Sequence, residues 1–439
     1  MFTNIHLHNF KLFKDISIDF TDMRSNKKPK PLVLIYGDNG AGKSSIIEAF
    51  LLLCRSRNAL SMSYAFDSDS NPFRGDPDFR PNSSYKFSRH IRSFRMIGAK
   101  GNTVVSFQGI VKNSAFEYEM AFDDRFLVKE KLSIDETEVF HCSYGSDEFF
   151  LNPEAILVEE FASIVNRHAQ LFFGEYSYLS CLLFSLKSLQ ERAPRYVLSK
   201  PLRQFLHFLS SLVYDWGTDT QLRSFRHISY TNTTRLLNNL ASGEYRPGDE
   251  KRKERSEKIM SEFFSALSSH IEGATYEVFP GQEEGSYRYK LFFKEKRGER
   301  RTLVPYELES TGVRKLVALF TYLIAAGRDK MTLFFDEVDT SINGEVLKTA
   351  LLALTKEIKG QLIFTTNSLS LLNYSLRKYC YVIDWKGEQC EVLSLDTYGT
   401  QIQPKTDIVG RYLKGMYGGD PKIGTLSFEK INSIIGIDK

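Results

Sequence analysis

The hydrophobic pattern divides the chain into stretches of different period. Residues 2–20 alternate apolar and polar positions in FTNIHLHNF and ISIDF, which predicts two strands joined by a turn. Pro31–Tyr36 is continuously apolar and runs into a glycine-rich turn. Such a run predicts a strand buried on both faces, as in a sheet covered by helices. Over Ser44–Leu53 the apolar residues recur at helical spacing. Residues 55–100, rich in Ser, Asn, Pro and Arg, predict a long irregular excursion. Alternation returns at 103–134 in TVVSFQGIV, FEYEMAF and FLVKEKLSI, which predicts an antiparallel β layer.

From residue 152 to residue 272 the period is helical. Helices are expected over Pro153–Val165, Pro201–Trp216 and Arg246–His270. The charge run DEKRKERSEK in the last reads as a solvated face. Two or three strands follow at 275–305, turning at Pro280–Gly285 and near Gly298. The remainder alternates as helix 311–327, strand 331–335, helix 344–358, strand 361–366 and strand 379–384. That order predicts an α/β fold with a largely parallel sheet.

A composition of 42% hydrophobic and 26% charged residues excludes a disordered or fibrous chain. The balance of 58 Lys+Arg against 54 Asp+Glu gives +4, too mild to demand nucleic acid. The five cysteines, Cys54, Cys142, Cys181, Cys380 and Cys390, include no CxxC pair and read as reduced structural thiols of a cytoplasmic protein. The amino terminus lacks the layout of a signal peptide. The longest apolar run, Leu316–Ala326, is too short to span a bilayer, so no membrane partner is expected.

Three motifs carry chemistry. Gly37-Asp38-Asn39-Gly40-Ala41-Gly42-Lys43-Ser44, followed by Ser45, fits GxxxxGK[ST] after a buried strand and before a helix. Glycines let backbone N–H groups converge on one anion, and a helix start adds positive potential. Lys43 then reaches the β- and γ-phosphates of ATP, and the Ser44 hydroxyl ligates Mg²⁺. Leu333-Phe334-Phe335-Asp336-Glu337 is an apolar strand ending in two acids. Asp336 is placed to complete the Mg²⁺ shell, and Glu337 to orient and polarise the attacking water. Glu309-Ser310-Thr311-Gly312-Val313-Arg314 opens the helix that precedes them, and a Ser before a Gly there can present a hydroxyl and free N–H groups to an anion.

In this order the motifs resemble the ABC-type ATPase heads of RecF, Rad50 and SMC proteins, and FTNIHLHNFKLFKDISIDF is similar to the start of RecF-like heads. The resemblance implies a P-loop ATPase head with an α-helical insertion between its N- and C-terminal halves. The corresponding segments are 1–150, 151–273 and 274–439. It implies that Ser310 and Gly312 cap the γ-phosphate held by a second copy, and that Asp339 links the two sites. Head-to-head dimers building a homo-oligomer follow. Asn367 stands where the family carries a switch His; an amide can hydrogen-bond but cannot carry a proton, which implies slow hydrolysis. Gln108 is the one candidate for the family's phosphate-sensing glutamine, its plainer reading being an exposed strand residue.

Among such heads, a short one without a coiled-coil arm resembles the AAA-type ATPases of bacterial abortive-infection and anti-phage loci, and Arg411–Gly419 through Pro421 resembles their tail. The ATPase subunits of the PARIS and Septu or retron systems are the comparisons. The related nucleases carry a metal-binding Toprim domain after the ATPase, whereas Asp384 here has no second Asp beside it. The implied role is a sensor and scaffold that controls a separate toxic effector, such as a Toprim nuclease from a neighbouring gene, and that answers to a phage protein. The competing expectation is a RecF-like, ATP-gated DNA clamp, with Arg89, Arg92 and Arg95, or Lys187, Arg192 and Arg195, facing duplex DNA.

Overall fold

A computed structural model describes residues 1–65 except 24 and 26, 86–188 except 147 and 148, 194–216, 236–397 except 238, 284 and 329, 403–418 except 404, and 427, 428, 431 and 434. Arg192, Gly419 and Pro421 lie outside the described residues. The chain opens with β1 (Phe2–Phe10), β2 (Phe13–Asp19), β3 (Leu32–Tyr36) and α1 (Lys43–Ser56). Five strands follow: β4 (Thr103–Val111), β5 (Ser114–Phe122), β6 (Leu127–Ile134), β7 (Thr137–Ser143) and β8 (Phe149–Leu151). Next come α2 (Glu159–Phe172), α3 (Tyr178–Ser188), α4 (Lys200–Ser210), β9 (Leu212–Trp216), β10 (Ser242–Tyr245) and α5 (Glu250–Leu267). The strands β11 (Ile271–Pro280), β12 (Tyr287–Arg297) and β13 (Arg300–Pro305) lead to α6 (Thr311–Arg328) and β14 (Thr332–Asp336). The chain continues through α7 (Gly344–Leu354), β15 (Gln361–Thr365), β16 (Cys380–Lys386), β17 (Gln389–Ser394) and α8 (Ile408–Leu413).

Among the described residues, a central sheet runs β9-β14-β15-β3-β16-β17, parallel except for its last strand. Its apolar runs serve two cores. Val33, Ile35, Phe334, Ile363, Tyr381 and Ile383 face α1 and an antiparallel sheet, β8-β7-β6-β5-β4-β1-β2. Their neighbours Leu34, Tyr36, Phe335, Phe364 and Val382 face α6, α7 and a smaller sheet of β10–β13. Strands buried on both faces have no polar side to show, which is why these segments read as unbroken hydrophobic runs. Phe50 of α1 stacks on Phe334 at 4.3 Å between ring centroids and meets Phe2 at 5.0 Å, joining the two large sheets.

A buried amide ties the first strand to the later half of the chain. Gln361, at the start of β15, accepts from Phe2 N (2.7 Å) and donates to Phe2 O (2.9 Å) and Lys30 O (3.0 Å). It is fully enclosed.

Two expected helices differ from the structure. The helix expected over Pro201–Trp216 stops at Ser210, and Leu212–Trp216 pairs with β14 in parallel register. The free edge of β14 supplies backbone partners that Leu-Val-Tyr, better strand than helix formers as a group, accept. The helix expected from Pro153 begins at Glu159, because Ile156 bridges to Leu198. In the excursion expected over 55–100, Ala59–Ala65 and Phe87–His90 are helical. Strands β7, β8, β10 and β17 were not foreseen. All five cysteines are free thiols, Cys390 half-buried and the others buried. No helix among the described residues is long and apolar enough to cross a membrane.

Replacing Gln361 with Leu keeps the volume but strands the Phe2 and Lys30 polar groups. The expected cost is about 2–4 kcal/mol, read as a lower urea midpoint at unchanged m-value.

Candidate functional site

The loop Gly37–Ser44 leaves the end of β3 and enters α1. Gly40 and Gly42 take φ of +80° and +104°, in the left-handed region that L side chains avoid. At Gly42 space forbids a side chain as well: a Cβ would lie 2.4 Å from Phe13 Cζ. Phe13 stacks on Trp385 of β16 (6.1 Å, 8°), and the indole Nε1 donates to Ala41 O at 3.0 Å. The loop thus rests on an aromatic floor drawn from both large sheets. Sequence reasoning missed Phe13 and Trp385, since only strand pairing brings them under the loop.

Helix α1 has no side-chain cap and no acid in its first turn. Its first intrahelical bond runs from Ile46 N to Gly42 O (3.2 Å), leaving the N–H groups of Lys43, Ser44 and Ser45 without an intrahelical acceptor. Such a start is suited to an anion. Lys43 is buried, and its Nζ donates to Gly37 O (2.8 Å) and Asp38 O (3.0 Å). Burial lowers its pKa, while the charges of Asp336, Asp38, Glu337 and Asp339 work against that shift. Asn39 and Ser44 are exposed; Ser45 is buried.

The two acids leave the end of β14. Buried Asp336 accepts from Thr365 Oγ1 at 2.5 Å, and the same oxygen accepts from Glu337 N at 2.7 Å. One enclosed hydroxyl at the end of β15 therefore orients both acids. Thr365 was not singled out from the sequence; its only signal was a polar residue closing an apolar strand. Glu337 holds φ at +50°, a strained conformation for a non-glycine residue. Lys315 Nζ of α6 donates to Glu337 O at 3.1 Å. Both oxygens of Asp339 accept from Asn367 N (3.3 and 3.2 Å).

At the start of α6, exposed Ser310 accepts from Val313 N (3.3 Å) as an N-cap. Gly312 sits against the turn after β14, where a Cβ would meet Ser341 O at 2.5 Å. Lys43, Asp38, Asp336, Glu337, Asp339 and Asn367 thus form one group. Gly312 approaches it through Ser341 of the turn after β14, and among the described residues no hydrogen bond joins Ser310 or Gly312 to the glycine loop.

The remaining candidates have other tasks. Gln108 is exposed on β4 and its Nε2 reaches Glu117 Oε1 at 3.4 Å. Arg95 braces Phe122 O (3.1 Å) and Gly101 O (2.9 Å). Arg195 lies 4.7 Å over the Tyr196 ring, and Arg89, Arg92 and Lys187 are exposed.

Residues 32–373 match the family model described as "AAA domain, putative AbiEii toxin, Type IV TA system". No curated protein matches the chain. Three solved structures align with it at a TM-score of 0.41. The SMC head domain from Thermotoga maritima is 14% identical, over 90% of this chain and 98% of that one. The Smc head domain with an extended coiled coil bound to the C-terminal domain of ScpA, derived from Pyrococcus furiosus, is 15% identical over 90% and 96%. The SmcHead bound to the C-winged helix domain of ScpA is 14% identical over 89% and 96%.

Thr365→Val would leave the Asp336 carboxylate and Glu337 N–H without their partner. A loss of about 2–4 kcal/mol is expected in denaturant unfolding, with Thr365→Ser close to the parent.

Proposed function

The chain belongs to the AAA domain family whose model spans residues 32–373, and from that premise we propose that it is a slow ATPase serving as the sensing scaffold of a bacterial anti-phage system. Its fold is the α/β P-loop ATPase fold of ABC type. The observation that carries the reading is the convergence of Lys43, Asp336 and Glu337 on one sheet edge, with Thr365 fixing both acids.

The residues suit ATP with Mg²⁺. The loop has the two left-handed glycines and the uncapped helix start that a polyphosphate needs. Lys43 is folded onto carbonyls that phosphate oxygens would replace. Ser44 and Asp336 offer hard oxygen ligands, and Mg²⁺ bound there supplies neutralisation of phosphate charge. Glu337 orients the attacking water, and Asn367 holds it or a phosphate oxygen by its amide. Because the Asn367 amide does not take up and release a proton as an imidazole does, turnover is slow.

Two copies facing each other complete two sites, each using the other copy's Ser310 and Gly312. The contacts Gly312–Ser341 and Asp339–Asn367 tie the capping segment of a copy to its own acidic turn. Closure on ATP and reopening on hydrolysis would then be felt at both sites. A separate effector, such as a Toprim nuclease from a neighbouring gene, is held or released by that cycle in answer to a phage protein. The alternative DNA clamp loses support from Arg95, which is committed to backbone carbonyls.

Lys43→Ala should abolish ATP binding in calorimetry. Glu337→Gln should bind ATP and accumulate the closed dimer by light scattering, with hydrolysis down by at least about 100-fold. Ser310→Arg should bind ATP yet neither close nor hydrolyse. Normal hydrolysis by that variant would refute the two-copy site.

A further inference from the structure

A cavity of about 560 Å³ opens beside Ser310, between the β12–β13 hairpin and the start of α6. Its ionisable lining is His270, Glu295, Arg297, Arg300 and Glu309. Glu295 is deeply buried; its Oε2 accepts from Arg297 Nε at 3.1 Å, and His270 Nε2 stands 3.5 Å from its Oε1. Glu309 is only 8% exposed, and its Oε1 is shut from solvent with no hydrogen-bond partner. A buried acid in this condition lacks a donor, and leaving one unmet is costly. Burial and the charge of Glu295 push the Glu309 carboxyl up to about 6, with Arg297, bonded to Glu295, working against that shift.

We propose that this cavity takes a guanidinium or alkylammonium cation, seated between Glu309 and Glu295. The cation satisfies the orphaned Glu309 oxygen, relieves the repulsion between the two acids and fills a space too large for a single water. The chemistry has two sources, a basic side chain of a second copy or a free polyamine. The first deepens the proposed function and rests on it: Ser310 lines the same cavity, so a copy that presents its phosphates to Ser310 brings its surface to the cavity mouth. Leu308, 77% exposed at that mouth, would be covered by the same approach.

The test uses the full chain in two arms. In the first, spermidine is titrated into nucleotide-free protein by calorimetry. In the second, dissociation of the ATP-bound Glu337→Gln dimer is followed by analytical ultracentrifugation. Glu309→Gln should weaken spermidine binding, dimer association or both on the order of tenfold, while ATP affinity and the melting temperature hold. An effect on spermidine alone assigns the site to a free polyamine; an effect on the dimer assigns it to a second copy. Arg300→Ala removes a competing cation of the lining, leaving the Arg297–Glu295 pair in place, and should strengthen spermidine or dimer binding, a gain that misfolding cannot imitate. No effect of Glu309→Gln in either arm overturns the proposal. Weaker binding in Arg300→Ala overturns it too, since Arg300 would then be the ligand. If Glu337→Gln fails to dimerise with ATP, the two-copy reading falls, while the spermidine arm alone decides the cavity.

Discussion

A strand covered on both faces can offer chemistry only at its ends. Strands β3, β14 and β15 are under that constraint, since alternate side chains of each feed two different cores. Nothing along their length is spare, and reactive groups are confined to the segments that leave them. Because the strands are parallel, Tyr36, Asp336 and Thr365 end at the same edge, where open α/β sheets place ligands. The glycine loop and the acidic pair meet there although some three hundred residues separate them in the chain.

Strand β15 shows how sparingly polarity is used. Its three central residues are apolar and fully enclosed, and its two polar residues stand at opposite ends. Gln361 at one end binds the first strand of the chain to the sheet. Thr365 at the other end holds the acids in place. The same short segment therefore closes the fold and orients the site. It lies between β14 from the later half of the chain and β3 from the earlier half, so neither half can complete the central sheet alone.

The sequence made much of this readable. Continuous apolar runs identified β3, β14 and β15, and the glycine and acidic motifs marked their ends. What stayed hidden depended on tertiary pairing. Leu212–Trp216 carries helical spacing and becomes a strand because β14 has an open edge. Phe13 looks like any strand residue until Gly42 descends onto it. Thr365 has no local pattern that marks it, and its role exists only once Asp336 and Glu337 lie beside it. The Glu295–Glu309 pair joins residues from different elements, and no spacing rule announces it.

The aromatic floor under the glycine loop has an optical consequence. Trp385 is one of two tryptophans in the chain, and its indole is bonded to the loop carbonyl of Ala41 while stacked on Phe13. Any rearrangement of that loop alters the polarity and quenching around the indole ring. The protein therefore carries a fluorophore of its own against that loop, one that senses the loop's surroundings without a label attached.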